Sequence, residues 1–148
     1  MPSISRSALV SHSAASMFSL VCDIESYPQF LPWCSDASVA EETDTHQLAS
    51  VFMDKRMRGM KFTTRNRLET NEAIHMGLVD GPFRMLSGVW HFTQIDEQSC
   101  KVELAIDFEF KSRIMSTLLG GAFSKICDSM VAAFVKRADD LDAATTSA

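Results

Sequence analysis

From Ser112 towards the C-terminus, apolar residues recur every three or four positions: Met115, Leu118, Leu119, Ala122, Phe123, Ile126, Met130, Ala133, Phe134, Ala138 and Leu141. This spacing predicts one helix over about 113–142, longer than the average helix of a globular protein. Its apolar face is too long for a single strand to cover. It needs a sheet that curls around it, and that need constrains the rest of the chain. Gly120-Gly121, in the middle of this helix, costs about 2 kcal/mol relative to two alanines. A kink or a close backbone approach is expected to offset that cost.

The required sheet can be read upstream. Strands are expected at about 35–43, 46–56, 60–69, 72–79, 83–95 and 99–111, with one more over 4–10. Between them lie the turn formers Glu42-Thr43-Asp44-Thr45, Arg58-Gly59, Thr70-Asn71, Asp80-Gly81-Pro82 and Asp96-Glu97-Gln98. Such short separations favour antiparallel hairpins over parallel crossovers. In the last strand Cys100, Val102, Leu104, Ile106, Phe108 and Phe110 face one way, and charged residues the other. That pattern gives the sheet one buried and one wet face. After the first strand, Met17, Phe18, Leu20 and Val21 mark a short helix that Ser11 or Ser13 can cap. Pro28 and Pro32 then forbid a long helix and allow one short turn carrying Phe30, Leu31 and Trp33. The expected fold is α+β: about seven antiparallel strands wrapped around a long C-terminal helix. It forms one domain over 1–148, ordered from about 3 to 142, with a frayed tail over 143–148.

Composition narrows the function. With 46% hydrophobic and 22% charged residues and a net charge of −5, the chain has the make-up of a soluble globular domain. No contiguous apolar run approaches the roughly 20 residues that span a bilayer. The opening MPSISRSALVSHS lacks the basic start and apolar core of a signal peptide. The cytoplasm is the expected compartment. Cysteines 22, 34, 100 and 127 form no Cys-x-x-Cys pair, and histidines 12, 46, 75 and 91 supply no partners at metal-ligand spacing. Buried free thiols are expected, and no metal.

The chain has ten Phe, nine Met and two Trp but one Tyr. Flat Phe and soft, unbranched Met suit an irregular apolar space. A bent sheet folded over a helix traps such a space. Trp33, Trp90, Phe92 and Phe108 could stack on a flat ring there, while Leu86, Leu104, Ile106, Phe123, Met130 and Phe134 could line an apolar tail. Phe30, Leu31 and Trp33 would form a proline-stiffened lid. By residue pattern alone, a solid core made of the same side chains accounts for them nearly as well. The candidate acids and bases are His75, His91 and Asp107. Asp107 alternates with the apolar face of its strand, and His91 points outward if Trp90 and Phe92 point in. No catalytic residue is assigned. Residues 54–67 carry +5 and the rest of the chain −10. Lys55, Arg56, Arg58 and Lys61 gather at one hairpin end, and Lys61, Arg65 and Arg67 line one strand face. This patch suits RNA phosphates or anionic headgroups. Only Glu72 on the next strand is expected to oppose it.

Several strings carry a family resemblance: Tyr27-Pro28-x-Phe30-Leu31-Pro32-Trp33-Cys34, Phe62-Thr63-Thr64-Arg65-Asn66, Asp80-Gly81-Pro82-Phe83-x-x-Leu86-x-Gly88-x-Trp90-x-Phe92 and Asp107-Phe108-Glu109-Phe110. Together they resemble the START-like, coenzyme Q-binding and polyketide-cyclase-like family, in the bacterial branch that includes a ribosome-association toxin. The resemblance implies a helix-grip fold. It also implies non-enzymatic binding of an isoprenoid quinone, with ubiquinone as ligand rather than cofactor, in support of respiration. A second implied role is binding to the large ribosomal subunit and blocking subunit joining. Cyclase or dehydrase activity is the least favoured of the three. Transient contact with a membrane surface and a peripheral place at the inner membrane fit the quinone role. DNA is not an expected partner.

Overall fold

A computed structural model describes residues 3–146, with side chains except at Arg56 and 143–146. Strand β1 (Ser3–Val10) leads into helix α1 (Ala14–Cys22) and a 3-10 helix (Ile24–Gln29). Strands β2 (Cys34–Glu42), β3 (His46–Met53), β4 (Lys61–Glu69), β5 (Ala73–Asp80), β6 (Phe83–Asp96) and β7 (Ser99–Phe110) follow, then helix α2 (Arg113–Thr146). A single 3-10 turn (Lys55–Met57) sits between β3 and β4. All seven strands form one antiparallel sheet in the order β1-β7-β6-β5-β4-β3-β2. The helical segment after β1 carries the chain from one edge to the other, and the meander returns until β7 lies beside β1. This is the expected helix-grip arrangement.

Local chemistry explains the boundaries. The Ser16 amide donates to the Ser13 hydroxyl at 3.1 Å, capping α1, and the Ala14 amide donates to the Gln94 side-chain carbonyl at 2.7 Å. The short helix around Pro28 ends at Gln29, so it carries Tyr27, and Phe30, Leu31 and Trp33 follow it. The Tyr27 hydroxyl donates to the Val21 carbonyl at 2.5 Å, which folds this segment back on α1. Register shifts in β2 and near both ends of the β6–β7 ladder add bend and twist to the sheet. In the β5–β6 turn Gly81 has φ +150°, and a Cβ there would lie 2.8 Å from that of Phe62. Only glycine fits that turn.

The core lies between the concave face and α2. All six residues on the apolar side of β7 are buried, as alternation required. So are Leu119, Phe123, Ile126, Phe134 and Ala138 of α2, together with Cys127 and Val131. Leu118 and Leu141, expected on the same stripe, are 57% and 43% exposed. Leu118 is one residue, about 100°, round the helix from buried Leu119 and points away from the sheet. Helix α2 runs four residues past its expected end; the last two residues of the expected tail lie outside the described residues. By length and composition α2 could cross a bilayer, contrary to the estimate from contiguous runs. Lys125 and Asp128 interrupt it, and one of its faces forms the core of this fold.

Candidate functional site

The enclosed space is small. An apolar cavity of about 70 Å³ lies between the sheet and α2, well below the roughly 300–1,000 Å³ of ordinary ligand pockets. Of the residues expected to line it, Trp33, Leu86, Ile106, Phe123 and Met130 do so. The others are placed elsewhere. Phe134 meets Trp90 at 5.3 Å and both Tyr27 and Phe30 at 5.2 Å, and Trp90 stacks along Phe92. Phe108 meets Phe123 at 4.7 Å, within a second group that includes Phe62, Phe83 and Phe110. Leu104 is buried without reaching the cavity. Aromatic rings find edge-to-face partners and fill the interior. Around the gap between them stand flexible side chains, and Met53 and Met76 join Met130 there. The position of Gly88 also belongs to the gap: a Cβ would come within 2.7 Å of the Met76 methyl.

A buried polar string borders this cavity. The Thr64 hydroxyl donates to Asn66 Oδ1 at 2.8 Å, and Asn66 Nδ2 donates to Gln47 Oε1 at 3.3 Å. Gln47 Nε2 donates to the Cys22 carbonyl at 2.8 Å and to the Glu42 carboxylate at 2.9 Å. Sequence reasoning quoted Thr64 and Asn66 only within a family string and gave none of these side chains a role. A signal existed, because alternation from Phe62 through Leu68 puts Thr64 and Asn66 on the apolar side of β4. Among the described residues lining the cavity, the one ionisable group is the Cys127 thiol, which burial pushes up to about 12. Burial also raises Cys22 to about 12 and Cys34 to about 11. The candidate acids and bases lie on the outer face. His75 sits 2.7 Å from Glu69 and 6.2 Å from the His91 ring, and Asp107 accepts from the Ser3 hydroxyl. His91 itself is exposed because Trp90 and Phe92 face inward.

Beside the cavity runs an external groove of about 530 Å³ between the proline-rich loop and one flank of α2. Leu31, Pro32 and Trp33 form one wall, and Gly121, Ala122, Lys125 and Ser129 lie along the other. Leu31 therefore belongs to the groove. Trp33 and Ile126 border both spaces and separate them. As side chains, Leu31 and Trp33 are only 1% and 4% exposed, so the expected lid is packed down.

The cationic patch lies on the convex face. Lys61, Arg65 and Arg67 are exposed on β4, and Lys61 Nζ sits 5.6 Å from the centre of the Phe52 ring. Its counter-charges are not the expected Glu72. Glu41 of β2 lies 3.7 Å from Arg65, and Glu69 lies 3.7 Å from Arg67. Glu69 is held below its ordinary range mainly by its hydrogen bond from His75. Lys55 and Arg58 are exposed at the turn, and no ion-pair partner is found for them among the described residues. The Arg56 backbone shares that turn, but its side chain lies outside the described residues.

Residues 10–135 match the family model for polyketide cyclase / dehydrase and lipid transport. The chain is 48% identical over 138 residues to a Vibrio cholerae protein named ribosome association toxin RatA, covering 93% of this chain and 96% of that one. It is 24% identical to the mitochondrial coenzyme Q-binding protein COQ10 of Dictyostelium discoideum, covering 88% of this chain and 66% of that one. Among solved structures, the Zhui aromatase/cyclase from Streptomyces sp. R1128 superposes with a TM-score of 0.82 at 16% identity, covering 93% of each chain, which speaks for the fold alone. On this match and this near full-length identity, the chain belongs to the polyketide cyclase / dehydrase and lipid transport family.

Proposed function

We propose that this protein associates with the ribosome through the cationic edge formed by the β3–β4 turn and the outer face of β4, without turning over a substrate. The observation that carries the reading is the exposed set Lys55, Arg58 and Arg65 on one side of an otherwise acidic chain. The near full-length likeness to a ribosome association toxin supports it. RNA presents closely spaced phosphates, and each cation that neutralises one releases a counter-ion. The position of the candidate acids and bases, away from the cavity, favours binding over catalysis. The large subunit is the proposed partner and the cytoplasm the proposed compartment. Reversing Lys55, Arg58 and Arg65 to glutamate is expected to lower co-sedimentation with large subunits by roughly tenfold or more. Undiminished co-sedimentation would remove this edge as the docking surface.

A second reading is favoured by the methionine-rich cavity beside a larger groove. We propose that an isoprenoid quinone lies with its tail in the groove and enters the interior when Trp33 and Ile126 separate. The cavity alone is too small for a quinone ring, so this reading requires that movement. The likeness to a coenzyme Q-binding protein supports it. Solvent extraction and mass spectrometry of protein purified from its own host should recover a quinone near stoichiometric amounts. Recovery of no quinone under conditions that preserve the fold would defeat it.

A further inference from the structure

The first half of α2 has two faces of unequal purpose. Leu119 and Phe123 point into the core. On the outward side, Ile114 and Leu118 are 73% and 57% exposed, and they continue through Gly121 to Lys125 at helical spacing. Two large aliphatic side chains side by side on a solvent-facing helix stripe need a reason. The surrounding charge supplies one. Between Glu109 and Asp128 lie Lys111, Arg113 and Lys125 and no carboxylate. The turn bearing Lys55 packs against α2, and Lys55 and Arg58 are exposed on it.

We infer that this stripe docks on an anionic lipid bilayer, with Ile114 and Leu118 entering the interface between headgroups and acyl chains. Lys111, Arg113 and Lys125 lie at headgroup level. An aliphatic row bordered by cations is the pattern of an interfacial helix. RNA fits less well, because Ile114 and Leu118 offer its phosphates nothing. A second copy of the chain fits less well too, because a two-fold contact would bring two sets of like charges together. The groove opens beside the stripe, since Gly121 and Lys125 line the one and belong to the other. Leu31 and Trp33 of the proline-rich loop are packed down, so the exposed apolar row beside the groove is that of α2. This inference does not depend on ribosome association and uses aliphatic residues that reading does not.

The test is flotation of the full chain with vesicles of phosphatidylcholine alone or containing about 30% phosphatidylglycerol, at low salt. Binding to the anionic vesicles is expected to exceed binding to neutral ones by about tenfold. The double variant Ile114→Ser, Leu118→Ser should lose about fivefold or more of it, with an unchanged thermal midpoint and unchanged ribosome co-sedimentation. Three results would overturn the inference: no flotation of the unaltered protein, equal flotation of the double variant, or equal binding to neutral vesicles. A dimer in sedimentation that dissolves in the double variant would assign the stripe to self-association instead.

Discussion

Burial sets the chemistry of the thiols. The pKa values of Cys22 and Cys127 are raised from 9.0 to about 12 and that of Cys34 to about 11, desolvation being the largest cause in each case. The buried Tyr27 hydroxyl is raised well above 10.0 for the same reason. In the unfolded chain these groups ionise at ordinary values, so the fold keeps protons that the unfolded state gives up. Their contribution is fully present below about pH 9 and is lost as pH climbs towards the folded values. The thermal midpoint should therefore fall steadily above about pH 9; a flat midpoint from about pH 8 to 11 would contradict it. At this scale the sequence was partly legible. Alternation set His91 opposite Trp90 and Phe92 but left open which side faced the core; the structure buries the two rings. It could not show that Phe134, more than forty residues later, would close against Trp90 and leave no room there. Nor could it show that Asn66 and Gln47 would satisfy one another, because such pairings arise only when separate strands come into register.

Among the elements, α2 was the easiest to foresee and its glycines the hardest to explain. A Cβ at Gly121 would meet nothing within 4 Å, and one at Gly120 only the Ser116 hydroxyl at 3.8 Å. No close approach offsets their cost. Gly120→Ala and Gly121→Ala should each stabilise the protein by about 1 kcal/mol, since alanine restricts the unfolded chain and favours helix. Urea unfolding will read this as a shifted midpoint with an unchanged slope; a loss of stability in either variant would mean that the helix needs its glycine conformationally. Periodicity placed the helix within a few residues, yet it put Leu118 on the core stripe with its buried neighbour Leu119, because the two are the same residue type.

For the molecule as a whole, the shared wall of Trp33 and Ile126 decides how much interior is available. Trp33→Ala should merge the groove with the inner cavity and cost about 3–5 kcal/mol through lost contacts and the space left behind. Chemical denaturation measures the cost, and uptake of an apolar gas probe followed by NMR measures the joined volume. A loss below about 1 kcal/mol would mean that the loop collapses onto α2 and keeps the spaces apart. The notion of a hollow interior came from the bent-sheet pattern and the Met and Phe content. Its volume was not legible, because filling depends on how rings from distant strands meet.

The position of β1 has a consequence for synthesis. Ser3 pairs with Asp107, and the first strand finds its neighbour only in the last. Helix α2, which supplies the other half of the core, is made later still. Chain growth is vectorial, so β2 to β6 leave the exit tunnel as hairpins whose inner face has nothing to cover it. The terminal ladder can zip only after residue 110 has emerged, and this late, long-range closure makes folding slow.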